Sequence, residues 1–339
     1  MKKSLIALAV LAASGAAMAQ SSVTLYGVVD TGLTYSKGAE SVYGLTHVGG
    51  NTNSRLGFRG VEDLGNGLKA TFNLEAGMGV DDGTDYFTGS GMAFRRTSTV
   101  GLEGGFGSVR LGRMLTSSYL AASRYDAFGD TGIGGSLAWH SQTGYQARTQ
   151  NAVSYTSPNL SGFKIGAEYG FGEQVKARDS RYFGLGATYD NGPLSFGAGY
   201  DRANNIGSDD LTTWHLGGAY NFGVAKLLAF YKQTKYKDVF VGGSEKFKTF
   251  GLGVTAPVGA AGEVKASYNH YKVSDDGGKA NQVSLGYVHN LSKRTALYGT
   301  YSYIKNKDGL ALQLNGAMAG AGLKNGKQHG LQAGIRHAF

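Results

Sequence analysis

Cysteine is absent from the 339 residues, so neither a disulfide framework nor a thiolate metal site is available. Proline is scarce, with 3 residues against 56 glycines. Beyond residue 19 no apolar run approaches the about 20 residues a spanning helix needs. If the chain lives in a membrane, it crosses as strands. Phosphate-cradling motifs are missing despite the glycine, with neither G-x-G-x-x-G nor a P-loop present. Nucleophile signatures are missing too. There is no G-x-S-x-G, and His47, His140, His215, His270, His289, His329 and His337 are scattered, none in a recognisable catalytic motif. No catalytic role and no resident cofactor are therefore expected.

What is present is glycine at more than twice the usual roughly 7 per cent, together with 21 Tyr and 16 Phe. Flexible glycine-rich chains lack aromatics, so this composition argues for an ordered chain. The opening stretch "MKKSLIALAVLAASGAAMA" has two lysines, an apolar segment from Leu5 to Ala13 and a small-x-small ending at Ala17–Ala19. It reads as a secretory signal peptide (1–19) for Sec-type export, cut before Gln20 and leaving residues 20–339 as one domain. Of the formal charge of +9, loss of Lys2 and Lys3 leaves +7.

Period-two alternation runs through the rest. In "NSRLGFRG", Leu56 and Phe58 oppose Arg55, Gly57 and Arg59. In "GLKATFNLE", Leu68, Ala70, Phe72 and Leu74 oppose Lys69, Thr71, Asn73 and Glu75. In "NQVSLGYVHN", Val283, Leu285 and Tyr287 oppose Gln282, Ser284 and Gly286. The last residues alternate as well: Leu331, Ala333, Ile335, His337 and Phe339 take one side. Helical spacing fits none of these, and the period is that of a strand with one oily and one wet face.

Seven short connections, at 62–67, 103–107, 157–162, 189–193, 220–223, 256–262 and 290–294, carry Asn-Gly and Gly-Gly hairpin chemistry. They alternate with eight longer, charged segments at 37–52, 80–94, 116–147, 173–180, 203–210, 236–246, 274–280 and 305–326. Fifteen alternating connections join sixteen strands. An even strand count with short turns at one end and long loops at the other is the pattern of a transmembrane β-barrel. A soluble sandwich has no reason to keep every second connection short. Tyrosines and phenylalanines near segment ends, such as Tyr155, Tyr169, Phe171 and Tyr220, suit the interfacial girdles of such a barrel.

The stretches "SVTLYGVVDTGL", "SRLGFRGVEDLGNGLKA", "GFGSVRLGR", "YDNGPLS", "YNFGVAKL", "GYVHNLSKRTALYGTYSYIKNKD" and "GIRHAF" closely resemble the general trimeric porins of Gram-negative outer membranes, in particular their anion-selective branch. The resemblance implies an all-β, sixteen-stranded antiparallel transmembrane barrel, three to a trimer. It implies that the third long loop folds into the lumen, and that trimer contacts use small outward residues of the first and last strands with loop 80–94. It also implies that the final strand, ending at Phe339, serves as the signal read by the barrel assembly machinery and pairs with the first strand. His337 departs from the aromatic often found at its position.

A sixteen-stranded barrel encloses water. The resemblance places an arginine cluster at the constriction, matched here by Arg55, Arg96 and Arg148, with Arg95 competing for the inward site of Arg96. Parity turns Arg59, Arg110 and Lys69 inward as well, and also Glu75 and Asp30. Loop 116–147 contributes Arg124, Asp126, Asp130 and His140, and its acidic residues across from the arginines would set up a transverse field. Permanently charged guanidiniums in a narrow wet passage concentrate anions and repel cations. A bore near the about 8 Å Debye length of physiological salt feels that field throughout.

The expected function is passive diffusion of small hydrophilic solutes and ions, with anion preference, across the outer membrane of a Gram-negative bacterium. Expected partners are sister subunits, small anions, outer-membrane lipids and lipopolysaccharide, whose phosphates Lys246 and Lys248 would meet, and the assembly machinery. Nucleic acid is not expected, since the basic residues alternate into a lumen rather than forming a stripe. The alternatives are a substrate-specific channel, with Tyr119, Tyr125 and Trp139 in a solute path, and an adhesin working through the outer loops. The acidic clusters at 81–85, 208–210 and 274–278 match no complete calcium loop, so at most a loosely bound divalent cation is expected there.

Overall fold

The structure, a computed structural model, describes residues 22–85, 91–139, 145–174, 180–204, 210–237, 244–274, 277–316 and 324–339. The expected signal peptide, His140, Asp209, Asp275 and Asp276 lie outside the described residues.

The chain forms β1 (Ser22–Lys37), β2 (Ser41–Leu45), β3 (Arg55–Gly65), β4 (Leu68–Gly77), β5 (Thr97–Gly104) and β6 (Gly107–Leu115). A short helix, α1 (Ser117–Ala122), follows. Then come β7 (Arg148–Thr156), β8 (Phe163–Gly170), β9 (Tyr182–Asn191), β10 (Leu194–Ala203), β11 (Asp210–Asn221) and β12 (Lys226–Lys237). The wall finishes with β13 (Ser244–Val258), β14 (Gly262–Val273), β15 (Lys279–Asn290), β16 (Thr295–Lys307) and β17 (Lys327–Ala338).

Each strand pairs antiparallel with its sequence neighbour, and β1 pairs with β17 to close the sheet. Closure runs from Val28 opposite Ala338 to Lys37 opposite His329. Phe339 extends it, its N–H and C=O both 3.1 Å from Gly27. Sixteen strands make the wall. The additional β2 is a five-residue strand in the first long connection, laid on the far half of β1 through Tyr35 opposite Tyr43, while the near half of β1 pairs with β3. Closure removes the free edge that an open sheet would expose to lipid.

Local chemistry explains the tight ends. Between β3 and β4, Asn66 and Gly67 both take positive φ, 51° and 76°. That is the type I′ requirement which asparagine and glycine meet most easily.

Alternation sorts the faces. On β15, Val283 and Leu285 are 50% and 55% exposed while Gln282 and Ser284 are essentially buried. The exposed stripes elsewhere carry Leu25, Leu111, Phe183, Leu216, Leu252 and Ile335. A lipid-facing barrel inverts the soluble rule in this way, with oil outside and amides and hydroxyls within. The two main apolar clusters therefore do not lie between layers. One joins Ala122, Tyr125, Ala138, Trp139 and Tyr145 to Leu228 and Phe230 of β12. The other joins Ile133, Leu137, Leu312 and Leu314 to Phe247, Tyr271 and Ile304 on β13, β14 and β16. In both, connecting segments pack onto the wall.

Candidate functional site

Arg55 opens β3, Arg148 opens β7, Arg96 directly precedes β5, and Glu75 lies near the end of β4. All four thus sit at the long-connection end of the first half of the wall. Glu75 Oε1 is 2.7 Å from Arg96 Nε, and its Oε2 is 3.5 Å from Arg55 Nε. Tyr26 also donates its hydroxyl to Glu75, at 3.0 Å. Arg148 Nε donates to the Arg96 carbonyl at 3.0 Å, and Arg55 Nη1 to the Asn53 carbonyl at 3.1 Å. One carboxylate thus meets two guanidiniums directly, and the third, on Arg148, is tied to the Arg96 backbone. Arg96 is only 6% exposed, fixed by its bond to Glu75. Arg95 is exposed and contributes its carbonyl to Arg113.

The other residues of interest distribute along the same polar face. Arg59 stacks over the Tyr26 ring at 5.2 Å. Arg110 lies opposite Gly101 and Ser154, and Lys69 between Asp63 and Glu103, nearer the short turns. Arg124 is apart from the Arg55–Arg96–Arg148 group: it makes a bidentate pair with Asp190, at 2.8 and 3.0 Å, beside the short β9–β10 turn. Asp30 is fully buried. Its carboxylate accepts from the amides of Gly50, Asn51 and Thr52 and from the Tyr298 hydroxyl, and so pins the first long connection to the wall.

The segment between β6 and β7 lies against the polar face. Thr116 caps α1 by accepting from the Tyr119 amide. The helix backbone approaches so closely that a β-carbon on Gly186 or Gly197 would collide with the carbonyls of Ser117 and Ala121. Glycine is the only residue these contacts admit. Ser118 Oγ is 2.5 Å from Asp201 on β10 and 2.7 Å from His215 Nε2 on β11. Lys232 on β12 donates Nζ to the Ala138 carbonyl at 2.5 Å and lies 3.8 Å from the centroid of the Tyr145 ring. Further along, Gln282 on β15 donates to the carbonyls of Ile133 and Gly135, both at 3.2 Å.

Within that segment Asp126 accepts from the amides of Phe128 and Ser136, and burial pushes its carboxyl up to about 7. Asp130 accepts from the Tyr119 hydroxyl at 2.5 Å, while its carbonyl holds Asn315 of the last long connection. A cavity of about 640 Å³ opens beside this point, lined among others by Asp130, Trp139, Asn315, Arg113, Arg148 and Arg181. Of the aromatics expected in a solute path, Trp139 borders it, whereas Tyr125 is buried against Leu228 and Phe230 of β12 with its hydroxyl 2.9 Å from Ser195 of β10.

Arg113, Arg181 and Lys232 escaped the sequence reasoning. Arg113 lies within a register shift between Gly112 and Met114, which breaks the parity count. Gly112, at φ 123°, was the available sign, since glycine within a strand marks a bulge. Lys232 shares the inward parity of Leu228 and Phe230 and was legible from that.

Among the described residues, His47, Asp81 and Asp82 form one group of three donors, with His47 Nδ1 2.7 Å from Asp81. Hydrogen bonds from the Thr84 amide and hydroxyl hold the Asp82 carboxyl below its ordinary range. These contacts tie residues 81–84 of the second long connection to the first.

A closed wall of sixteen strands, apolar outside and polar within, with arginines gathered at one end, defines a membrane channel of the outer-membrane barrel class. The chain belongs to the Gram-negative porin family, whose sequence profile matches residues 5–309. It is 49% identical over 360 residues to outer membrane porin protein 32 of Delftia acidovorans, covering the whole of both chains. An outer membrane porin of Bordetella pertussis is 34% identical, again over the full length of both. Among solved structures, the anion-selective porin from Comamonas acidovorans superposes with a TM-score of 0.87 at 44% identity, covering 94% of this chain and 100% of that one. The protein is thus an outer-membrane porin, a passive channel.

Proposed function

We propose that this porin is an anion-selective diffusion channel whose filter is the group Arg55, Arg96 and Arg148, with the 116–147 segment folded into the lumen to set the bore. The observation that carries the reading is the convergence of three guanidiniums at the long-connection end of the wall: Arg55 and Arg96 share the Glu75 carboxylate, and Arg148 is bonded to the Arg96 carbonyl. Fixed cations in a constricted, low-dielectric passage raise the local anion concentration and the barrier to cations. Arg113 and Arg181 extend the same sign toward the long-loop mouth. Arg59, Arg110 and Lys69 carry it toward the short-turn end. Asp130, in the 116–147 segment, borders the same cavity as Arg148 and supplies the transverse component. Asp126 and Asp30 serve the loop backbones instead, and Arg124 anchors the segment to β9.

No chemical step enters this reading. Ser118 lies between Asp201 and His215 in a way that superficially suggests a catalytic triad. However, the carboxylate bonds to the serine rather than to His215 Nδ1, which has no hydrogen-bond partner. That order cannot orient the imidazole as a base. We also read the protein as a trimer, with the seam along the small outward residues Thr31 and Ala333 of β1 and β17. Phe339, stacked on Gly27, is the feature we assign to recognition by the assembly machinery.

The test is the zero-current potential across a planar bilayer in a tenfold KCl gradient, with the natural protein and with Arg96→Ser. A chloride-favouring potential that collapses toward zero in the variant supports the filter. A cation-favouring potential in the natural protein refutes it.

A further inference from the structure

Tyr26 on β1, Gly57 on β3 and Glu75 on β4 stand in one cross-strand row, with Tyr26 opposite Gly57 and Gly57 opposite Glu75. Neighbouring strands lie about 4.8 Å apart, so side chains on β1 and β4, two spacings from each other, do not ordinarily meet. Here they do, because Gly57 has no side chain to stand between them. The Tyr26 hydroxyl crosses over β3 and lies 3.0 Å from Glu75 Oε2 and 2.9 Å from Asn73 Oδ1. A β-carbon on Gly57 would collide with the ring and the oxygen of Tyr26. The phenol has one proton for these two acceptors, and the carboxylate is the stronger of them.

Glu75 divides its two oxygens unequally. Oε1 takes Arg96 Nε at 2.7 Å, the length of a full charge-assisted bond. Oε2, already holding the phenol, has Arg55 Nε only at 3.5 Å. Exposure follows the distances, since the Arg96 side chain is 8% exposed and that of Arg55 is 27%. Arg96 is thus spent on the carboxylate, while Arg55, steadied by the Asn53 carbonyl at 3.1 Å, stays open to the lumen. A hydroxyl fills an acceptor without adding charge. Were it gone, Oε2 would be the anionic oxygen nearest to Arg55, and a small rotation would bring the guanidinium into full contact.

The ring of the same residue has a second neighbour. The Arg59 guanidinium, the next cation toward the short turns, lies 5.2 Å from its centroid. Tyr26 therefore meets one cation through its face and another through a shared carboxylate.

We infer that Tyr26 is a positioning residue for anion selectivity: its hydroxyl occupies the Glu75 oxygen on which Arg55 would otherwise close, and so keeps the Arg55 guanidinium presented to passing anions. The inference rests on the arginine-filter reading and adds to it a neutral side chain that sets how much of the filter's charge the lumen feels.

The test is the zero-current potential in a tenfold KCl gradient for the natural porin, Tyr26→Phe, Glu75→Gln and the double variant. Phenylalanine keeps the ring beside Arg59 and removes only the hydroxyl. The chloride-to-potassium permeability ratio is expected to fall about threefold in Tyr26→Phe, as one fixed cation is withdrawn from the lumen. In Glu75→Gln there is no carboxylate for Arg55 to close on, so adding Tyr26→Phe should leave the ratio of that variant where it was. A merely structural role for Tyr26 would not produce this non-additivity. Gly57→Ala, which keeps the phenol but drives it off the carboxylate, should lower the ratio in the same direction. A natural ratio in Tyr26→Phe overturns the inference, and so does an equal fall in both backgrounds. If Tyr26→Phe does not assemble, Gly57→Ala decides: a lowered ratio supports the inference, and a natural ratio overturns it. The filter reading fails separately, on a cation-favouring potential in the natural protein, whereas the effect of the hydroxyl is read as a change whatever the sign of that potential.

Discussion

Replacing Lys232 with Met should loosen the 116–147 segment while leaving the wall intact. The ammonium group is buried, donates to the Ala138 carbonyl at 2.5 Å and to Thr234 at 3.1 Å, and sits against the Tyr145 ring. Met keeps the length and apolar stem but gives up each of these contacts. A buried carbonyl left without a donor costs about 1–3 kcal/mol. With the bond to Thr234 lost as well, about 3 kcal/mol is a reasonable net loss. It corresponds to about a hundredfold shift in the equilibrium between docked and undocked segment. The backbone ladder from Lys226 opposite Thr255 to Lys237 opposite Ser244 does not use the side chain, so the barrel itself should not weaken. Single-channel recording is the assay. Open-channel noise and visits to other conductance levels should rise sharply in Lys232→Met and much less in Lys232→Arg, with unchanged resistance of the folded barrel to heat in detergent. A Met variant as quiet as the natural channel would show that this contact does not hold the segment, and the reasoning would fail.

Two other outcomes follow from the same packing. The Asp126 carboxyl, raised to about 7 by burial, binds its proton more tightly in the docked segment than when exposed. Docking is therefore favoured fully at pH 4 and below, and the advantage fades as pH rises through 7, by up to a few kcal/mol. Channel noise should be greater at pH 8 than at pH 5 and should lose that dependence in Asp126→Asn; a persistent pH effect in the Asn variant would locate it elsewhere. Gly197→Val places a side chain against the Ala121 carbonyl, so α1 should be displaced from β10. The variant barrel should assemble but show altered conductance, and natural conductance would contradict the close approach.

Much of this architecture was open to reading because a barrel repeats one simple rule. Hairpin residues such as Asn66-Gly67 and the two-residue period named all seven short turns and bracketed all eight long connections. The strand β2 was not legible: "SVYGL" is too short for its alternation to register, and it exists only because β1 offers a partner. Parity likewise told which face Asp30 takes but not what covers it, and its carboxylate proves to be enclosed by the amides of residues 50–52. The apolar residues Ile133, Leu137 and Trp139 belong to a loop with no periodicity, so nothing local announced that they fill the two main clusters. The grouping of Arg55, Arg96 and Arg148 depends on the long-connection ends of β3, β5 and β7 converging across the intervening β4 and β6, and came from resemblance rather than from the residues themselves.

The pairing of β1 with β17 has a consequence for how the molecule comes into being. Val28 finds its partner in Ala338, across nearly the whole chain, whereas every other wall strand pairs with a near neighbour in sequence. Closing so long a loop is slow, because its entropic cost falls before any contact rewards it. Until β17 has been made, the far edge of β1 is a row of unsatisfied amides and carbonyls open to any other strand. The nascent barrel is thus an open, sticky sheet for most of its assembly, and its survival depends on whatever shields that first edge while the last strand arrives.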